Sequence, residues 1–199
     1  MNGIRCDILK IKEFFVMRII AGELKGRRLA SPSDNRVRPT TDKVKEAVFS
    51  MISGYLQDSI VLDLFSGTGN LGLEAISRGA ARVYFADRDR TSVALTKDNI
   101  RHCRVEDRAE VLHADYISVL NRFQYEADVI FLDPPYEAGY LENCLRLIGE
   151  KGILAEDGIV VAEHSHSEIL PETVAGLVLI KTKRYGKISI SLYERQEEL

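Results

Sequence analysis

Between Ile60 and Glu163 the chain alternates short apolar runs with amphipathic segments, and no other feature limits the fold as tightly. Ile60–Leu64, Arg82–Ala86, Ala109–His113, Ala127–Leu132 and Gly158–Glu163 read as strands. Helices are predicted from a Gly-rich turn to Ser77, then over Arg90–Cys103, Tyr116–Phe123 and Gly139–Glu150. Strand alternating with helix points to parallel strands joined by crossovers, with helices covering both faces of one sheet. Ahead of this unit Thr41 opens a further helix. Its Val44, Ala47, Val48, Met51, Ile52, Tyr55 and Leu56 recur at the spacing of one apolar helical face. Behind it, Leu177–Arg184, Tyr185-Gly186 and Lys187–Glu194 read as a β-hairpin that closes the sheet antiparallel. The expectation is an α/β fold with a mostly parallel seven-stranded sheet.

The 199 residues, 45% of them hydrophobic, suit one globular domain with a small appendage. The net charge of −3 hides an asymmetry. Residues 1–45 hold 11 Lys/Arg against 5 Asp/Glu, and residues 46–199 hold 16 against 25. A basic arm on an acidic body is the pattern of a polyanion-binding arm. Cys6, Cys103 and Cys144 form no CxxC pair and are odd in number, so reduced thiols in a cytoplasmic protein are expected. No apolar run approaches the roughly 20 residues of a membrane span. Residues 1–16 lack the pattern of a signal peptide, since Lys10, Lys12 and Glu13 interrupt their most apolar part.

After the first strand stands Asp63-Leu64-Phe65-Ser66-Gly67-Thr68-Gly69-Asn70-Leu71-Gly72, a GxGxxG loop between a strand and a helix. Such a loop brings backbone N–H groups against a nucleotide-type ligand. Asp87, which ends the second strand 20 residues after Gly67, is placed to accept hydrogen bonds from a ribose diol. Asp63 is out of place for a dinucleotide, because a carboxylate there would crowd a pyrophosphate. A cationic ligand with a ribose and no phosphate tolerates it, and S-adenosylmethionine is such a ligand. Asp115, after the third strand, could sit near an adenine amine or could simply cap the following helix. Phe65, Asn70, Arg88 and Tyr116 flank these groups and complete the candidate cofactor set with Gly67 and Gly69.

The fourth strand ends in Asp133-Pro134-Pro135-Tyr136. Two prolines stop the strand and stiffen the turn. A carboxylate and a ring held on one rigid turn suit a planar, amine-bearing base. In a doubly wound sheet of order 3-2-1-4-5, strands one and four are neighbours at the ligand-binding edge. The glycine loop and the Pro-Pro turn then open onto one crevice, and Asp133 borders the cofactor as well.

Asp133–Tyr136 resembles the amino-methylating class I methyltransferases. Arg18-Ile19-Ile20-Ala21-Gly22, Gly26-Arg27-Arg28-Leu29, Arg38-Pro39-Thr40-Thr41-Asp42-Lys43-Val44-Lys45-Glu46-Ala47 and Leu62–Gly69 resemble the RsmD family in particular, over about Met17 to Glu194. The resemblance implies a Rossmann-like methyltransferase fold over 41–199 and a basic arm or hairpin over 17–40. Residues 1–16 lie outside it as an extension, which an upstream start-codon assignment would explain. It implies S-adenosylmethionine as cofactor and the N2 amine of guanine 966 in 16S rRNA as target, in an assembled small subunit, with the protein a monomer. Asp133, Pro134, Pro135 and Tyr136 would be catalytic: Asp133 and the Pro134 carbonyl accept the amine hydrogens, and Tyr136 stacks on the base. Arg18, Lys25, Arg27, Arg28, Arg36 and Arg38 would meet RNA phosphates, although Arg38 and Thr40 could instead line the cofactor mouth. Lys181, Lys183, Arg184 and Lys187 could extend that footprint or merely protect a sheet edge. His164-Ser165-His166 is too sparse for a metal site, and His164 is expected near the pocket rim. Three other readings compete: an adenine- or cytosine-directed DNA amino-methyltransferase, an NAD-dependent oxidoreductase built on the glycine loop, and a non-catalytic RNA-binding module, against which the intact Asp133–Tyr136 motif speaks.

Overall fold

The computed structural model describes residues 17–31, 42–135 and 139–196. Their core is one eight-stranded sheet. Strands β1 (Ile60–Asp63), β2 (Arg82–Asp87), β3 (Ala109–His113), β4 (Ala127–Leu132) and β5 (Leu154–Ser165) alternate with helices α2 (Asn70–Ser77), α3 (Arg90–Cys103), α4 (Tyr116–Arg122) and α5 (Tyr140–Lys151). Helix α1 (Asp42–Met51) precedes them, and β6 (Thr173–Val174), β7 (Leu177–Tyr185) and β8 (Ile188–Arg195) follow. The strand order is β3-β2-β1-β4-β5-β8-β7-β6. β1 to β5 pair in parallel, and β8 returns antiparallel against β5. The predicted 3-2-1-4-5 order and closing hairpin are both present.

Differences from the sequence reading are local. The sheet has an eighth strand, β6, because Ala175 and Gly176 both take positive φ and fold two residues back onto Leu177 and Val178. β5 begins at Leu154 rather than Gly158, since a register shift between Ala127 and Val129 absorbs the polar Ala155–Asp157 stretch. The N-terminal helix ends at Met51 and passes into a 3₁₀ turn over Ser53–Tyr55. Its predicted face is buried at Val44, Val48, Ile52 and Leu56. Thr41, its expected first residue, lies outside the described residues.

Each face of the sheet carries its own apolar core. Val61, Val83, Phe85, Val129, Phe131, Val161, Ile190 and Leu192 pack under α1, α2 and α3. Leu62, Tyr84, Ile130, Leu132, Val160, Ala162 and Tyr193 pack under α4 and α5. The arm joins the first of these: Met17, Ile19, Leu24 and Leu29 are buried in it, and one antiparallel bridge pairs Arg18 with Arg28. Residues 17–31 therefore share the core of the larger unit. Cys103 and Cys144 are free and buried, and Cys6 lies outside the described residues. No helix among the described residues is long and apolar enough to cross a membrane.

Candidate active site

The site forms where β1 and β4 lie side by side and their chains leave the sheet in different directions. Beyond β1 the chain turns through Gly67 and Gly69, whose φ values are +55° and +77°. Gly69 caps α2 in the left-handed region, where a side chain would be strained. Gly72 allows the helix to lie close on the sheet, because a Cβ there would fall 2.2 Å from the Phe85 ring. Asp63 is buried and accepts a hydrogen bond from the Gly72 N–H at 3.0 Å. A helix N-terminus that would otherwise face an anion is thus turned toward a protein carboxylate, which argues against a pyrophosphate at this point.

Asp87 holds the loop from its other side. One carboxylate oxygen accepts from Gly67 N–H at 2.9 Å, the other from Asp89 N–H at 2.8 Å. The Ser66 hydroxyl is buried and has no hydrogen-bond partner among the described residues. An orphan hydroxyl beside left-handed glycines and a ribose-height acid is what a bound polar ligand would satisfy. Asn70, expected to touch the cofactor, accepts on its Oδ1 a hydrogen bond from Lys45 Nζ at 2.7 Å. Asp115 adopts the helix-cap geometry, accepting from Ser118 N–H at 3.0 Å and Ser118 Oγ at 2.7 Å.

Three rings gather at the same edge. Phe65 lies 5.8 Å from Tyr116 and 6.3 Å from Tyr140, and Tyr116 lies 5.7 Å from Tyr140. Arg88 donates to the Tyr140 hydroxyl at 3.4 Å, and Asn143 donates to the Tyr116 hydroxyl at 2.7 Å. Tyr140 was not legible as a site residue, since it sits in the first turn of an ordinary amphipathic helix.

Asp133 follows β4 directly, with Pro134 buried and Pro135 exposed. Burial and the neighbouring carboxylates of Glu163 and Asp63 push Asp133 well above the usual carboxylate range. Burial likewise raises Asp63 to about 7, with the Gly72 hydrogen bond opposing and Asp87 adding to the rise. Glu163, buried near the end of β5, is the other acid missed by sequence reading. The available signal was an acid ending a buried strand, as Asp63 and Asp133 do. A crevice lined by crowded carboxylates favours a cationic ligand. Tyr136, Arg36, Arg38 and Thr40 lie outside the described residues.

The remaining candidates are dispersed. His164 is buried one residue before the end of β5, with Nε2 2.9 Å from Ser191 Oγ and Nδ1 2.9 Å from the Ser165 carbonyl. In the arm, Arg27 donates to the His102 and Cys103 carbonyls at 3.0 and 2.9 Å, closing the C-terminus of α3. Arg18 pairs with Asp42 at 2.9 Å, whereas Lys25 and Arg28 are exposed and form no ion pair among the described residues. The arm is tied to the glycine loop by Asn99. Its amide nitrogen donates to Thr68 O at 2.8 Å and Ala30 O at 3.1 Å, and its oxygen accepts from Ala30 N–H at 2.8 Å.

Sheet order, glycine loop and strand-end acids together define a Rossmann-like methyltransferase fold. The solved Escherichia coli protein yhhF superposes with a TM-score of 0.83 at 31% identity, covering 92% of this chain and 99% of that one. The model of the family described as conserved hypothetical protein 95 matches residues 17–194, and the chain belongs to that family. Bacillus subtilis (strain 168) YlbH is 40% identical over 183 residues, 90% of this chain and 100% of the relative. The Escherichia coli (strain K12) protein named ribosomal RNA small subunit methyltransferase D is 32% identical over 182 residues, 92% and 91% of the two chains.

Proposed function

We propose that this chain transfers a methyl group from S-adenosylmethionine to the exocyclic N2 amine of a guanine in small-subunit rRNA. One observation carries the reading: Asp133, ahead of Pro134-Pro135, follows β4 at the sheet edge where neighbouring β1 leads into the glycine loop, with the buried acids Asp63 and Glu163 close to it. The family relationship supports it, since the Escherichia coli relative is named for small-subunit rRNA methylation.

When bound, S-adenosylmethionine supplies an electrophilic methyl on a sulfonium, with a neutral thioether as leaving group. Gly67, Gly69, Ser66 and Asp87 would hold it, and the rings of Phe65 and Tyr116 would flank it. A cation in the crevice favours the ionised forms of Asp63 and Asp133. Ionised Asp133 and the carbonyl of Pro134 accept the two hydrogens of the guanine amine. That arrangement draws the nitrogen out of conjugation with the ring and offsets the positive charge it gains; the Asp133 carboxylate takes up the proton that the methylated nitrogen then loses and passes it to solvent. The proline pair fixes both acceptors before the base arrives, so orientation supplies much of the acceleration. Tyr136 offers a stacking face to a base that has left its own stack.

The same reading places the protein in the cytoplasm, acting as a monomer on an assembled small subunit or late precursor. Unmodified small subunits incubated with methyl-labelled S-adenosylmethionine should yield labelled N2-methylguanosine after digestion. Label on another nucleoside, or none, overturns the proposal.

A further inference from the structure

The segment from Thr173 to Tyr193 holds four cations and no acid, although the body around it is acidic. All four cations, Lys181, Lys183, Arg184 and Lys187, lie on the β7–β8 hairpin and are exposed. None forms an ion pair among the described residues. Register decides where they stand. Leu132 pairs with Ala162, so Asp133 lies beside Glu163 in the next row. Glu163 pairs with Ile190, and Ile190 pairs with Lys183. Asp133, Glu163, Ile190 and Lys183 thus form one row across the sheet. At about 4.8 Å per strand, the backbones of Asp133 and Lys183 are about 14 Å apart.

The face is also fixed. Residues paired across strands share a face, and side chains alternate along each strand. Ile190 belongs to the core beneath α1, so Lys183 and, two residues before it, Lys181 project on that side. Asp63 and Asp133 lie on it too, at even spacing from Val61 and Phe131 of the same core. Arg184 points to the other face, and its Nε donates to the Gly186 carbonyl at 2.9 Å. The tip is held to the crevice edge, because His166 N–H donates to Lys187 O at 2.9 Å directly after β5. Among the described residues no other strand pairs with the outer edge of β7 along this length, since β6 pairs only with Leu177 and Val178.

An acidic crevice cannot draw a polyanion to itself, so a nucleic-acid substrate needs cations at the rim. We infer that Lys181, Lys183 and Lys187 form a phosphate-binding rail that grips the rRNA backbone beside the target base. The rail sets the distance from backbone to Asp133 by counting strands. This inference rests on the proposed rRNA substrate.

The test uses the full chain with Lys181, Lys183 and Lys187 all changed to Ala, the triple Lys→Arg variant, and Lys151→Ala as a distant control. Affinity for naked small-subunit rRNA is measured across a salt series, with S-adenosylhomocysteine affinity by calorimetry. For the Ala triple, the slope of log affinity against log salt should shrink by about 2, at roughly 0.7 per single-strand phosphate lost. KM for rRNA substrate should rise about tenfold or more, with kcat and S-adenosylhomocysteine affinity unchanged. The Arg triple should match wild type, as should Lys151→Ala. An unchanged slope and KM overturns the rail. A loss seen with assembled subunits but not with naked rRNA also overturns it, in favour of a protein contact. Should wild-type protein bind rRNA with steep salt dependence yet leave guanine N2 unmethylated, the proposed reaction falls while the rail is still judged by its slope.

Discussion

Two clusters of buried charge sit on the same face of the sheet and are built on opposite principles. Beneath the arm, Glu74 is fully buried and fully answered. It pairs with Lys45 at 3.0 Å and Arg78 at 2.9 Å, and accepts from the N–H groups of Ile20 at 2.8 Å and Ala21 at 3.0 Å. Lys45 is itself buried, which lowers its ammonium, with Glu74 opposing the shift; it also donates to the Arg18 carbonyl. At the other cluster, Asp63 and Asp133 form no ion pair with any described cation; Glu163 and Asp63 raise the proton affinity of Asp133, and Asp87 raises that of Asp63. A buried charge with matched partners fixes structure, at the cost of desolvation. Like charges crowded together hold a site in readiness for a ligand of opposite sign. On the proposed function, the contrast separates acids that serve the fold from acids that serve the chemistry.

The largest effect should come from breaking the answered cluster. Glu74→Ala strands Lys45 and frees two arm N–H groups, and urea unfolding should show a loss of about 3–5 kcal/mol. A loss below 1 kcal/mol would mean that the arm is not held through Glu74. Asp133→Ala removes an unanswered acid and should do the opposite. Stability should be kept or rise, and methyl transfer should fall by roughly 10²–10³-fold, well beyond any change in cofactor affinity. Near-normal turnover would remove Asp133 from the reaction.

A smaller effect separates the clusters by pH. The carboxyl of Asp63 is raised from 3.8 to about 7 in the folded protein. The native state therefore binds more protons than the unfolded chain between those values, and stability falls as pH rises through that window. In Asp63→Asn the fall should flatten, read as the difference in thermal midpoint between pH 5 and pH 8. The midpoint at pH 5 need not improve, because the amide must still accept from Gly72. An unaltered pH profile would show that Asp63 is already ionised in the crevice.

Much of this was legible because it is local. Apolar runs alternating with amphipathic segments located the five parallel strands, and Asp133-Pro134-Pro135 announced its own stiffness. The Gly loop and Asp87 are linked over 20 residues, a spacing set by one βαβ unit. What escaped is long-range or ambiguous. Glu74 meets Ile20 across 54 residues, and on a helix its sequence reads as an ordinary surface acid. Arg27, grouped with RNA-binding cations by composition, caps a helix 75 residues away. Glu163 reads as the polar end of a strand until the register sets it next to Asp133. Asp115 was open between two roles, and the backbone adopts the capping geometry.

Asn99 has one more consequence. A single amide grips Ala30 in the arm and Thr68 in the glycine loop, so the two segments share one lever. Any ligand that moves the arm must work against that lever and change how tightly the loop is held. Linkage then demands repayment in the same measure: the factor by which the arm's ligand alters the loop's affinity is the factor by which the loop's ligand alters the arm's.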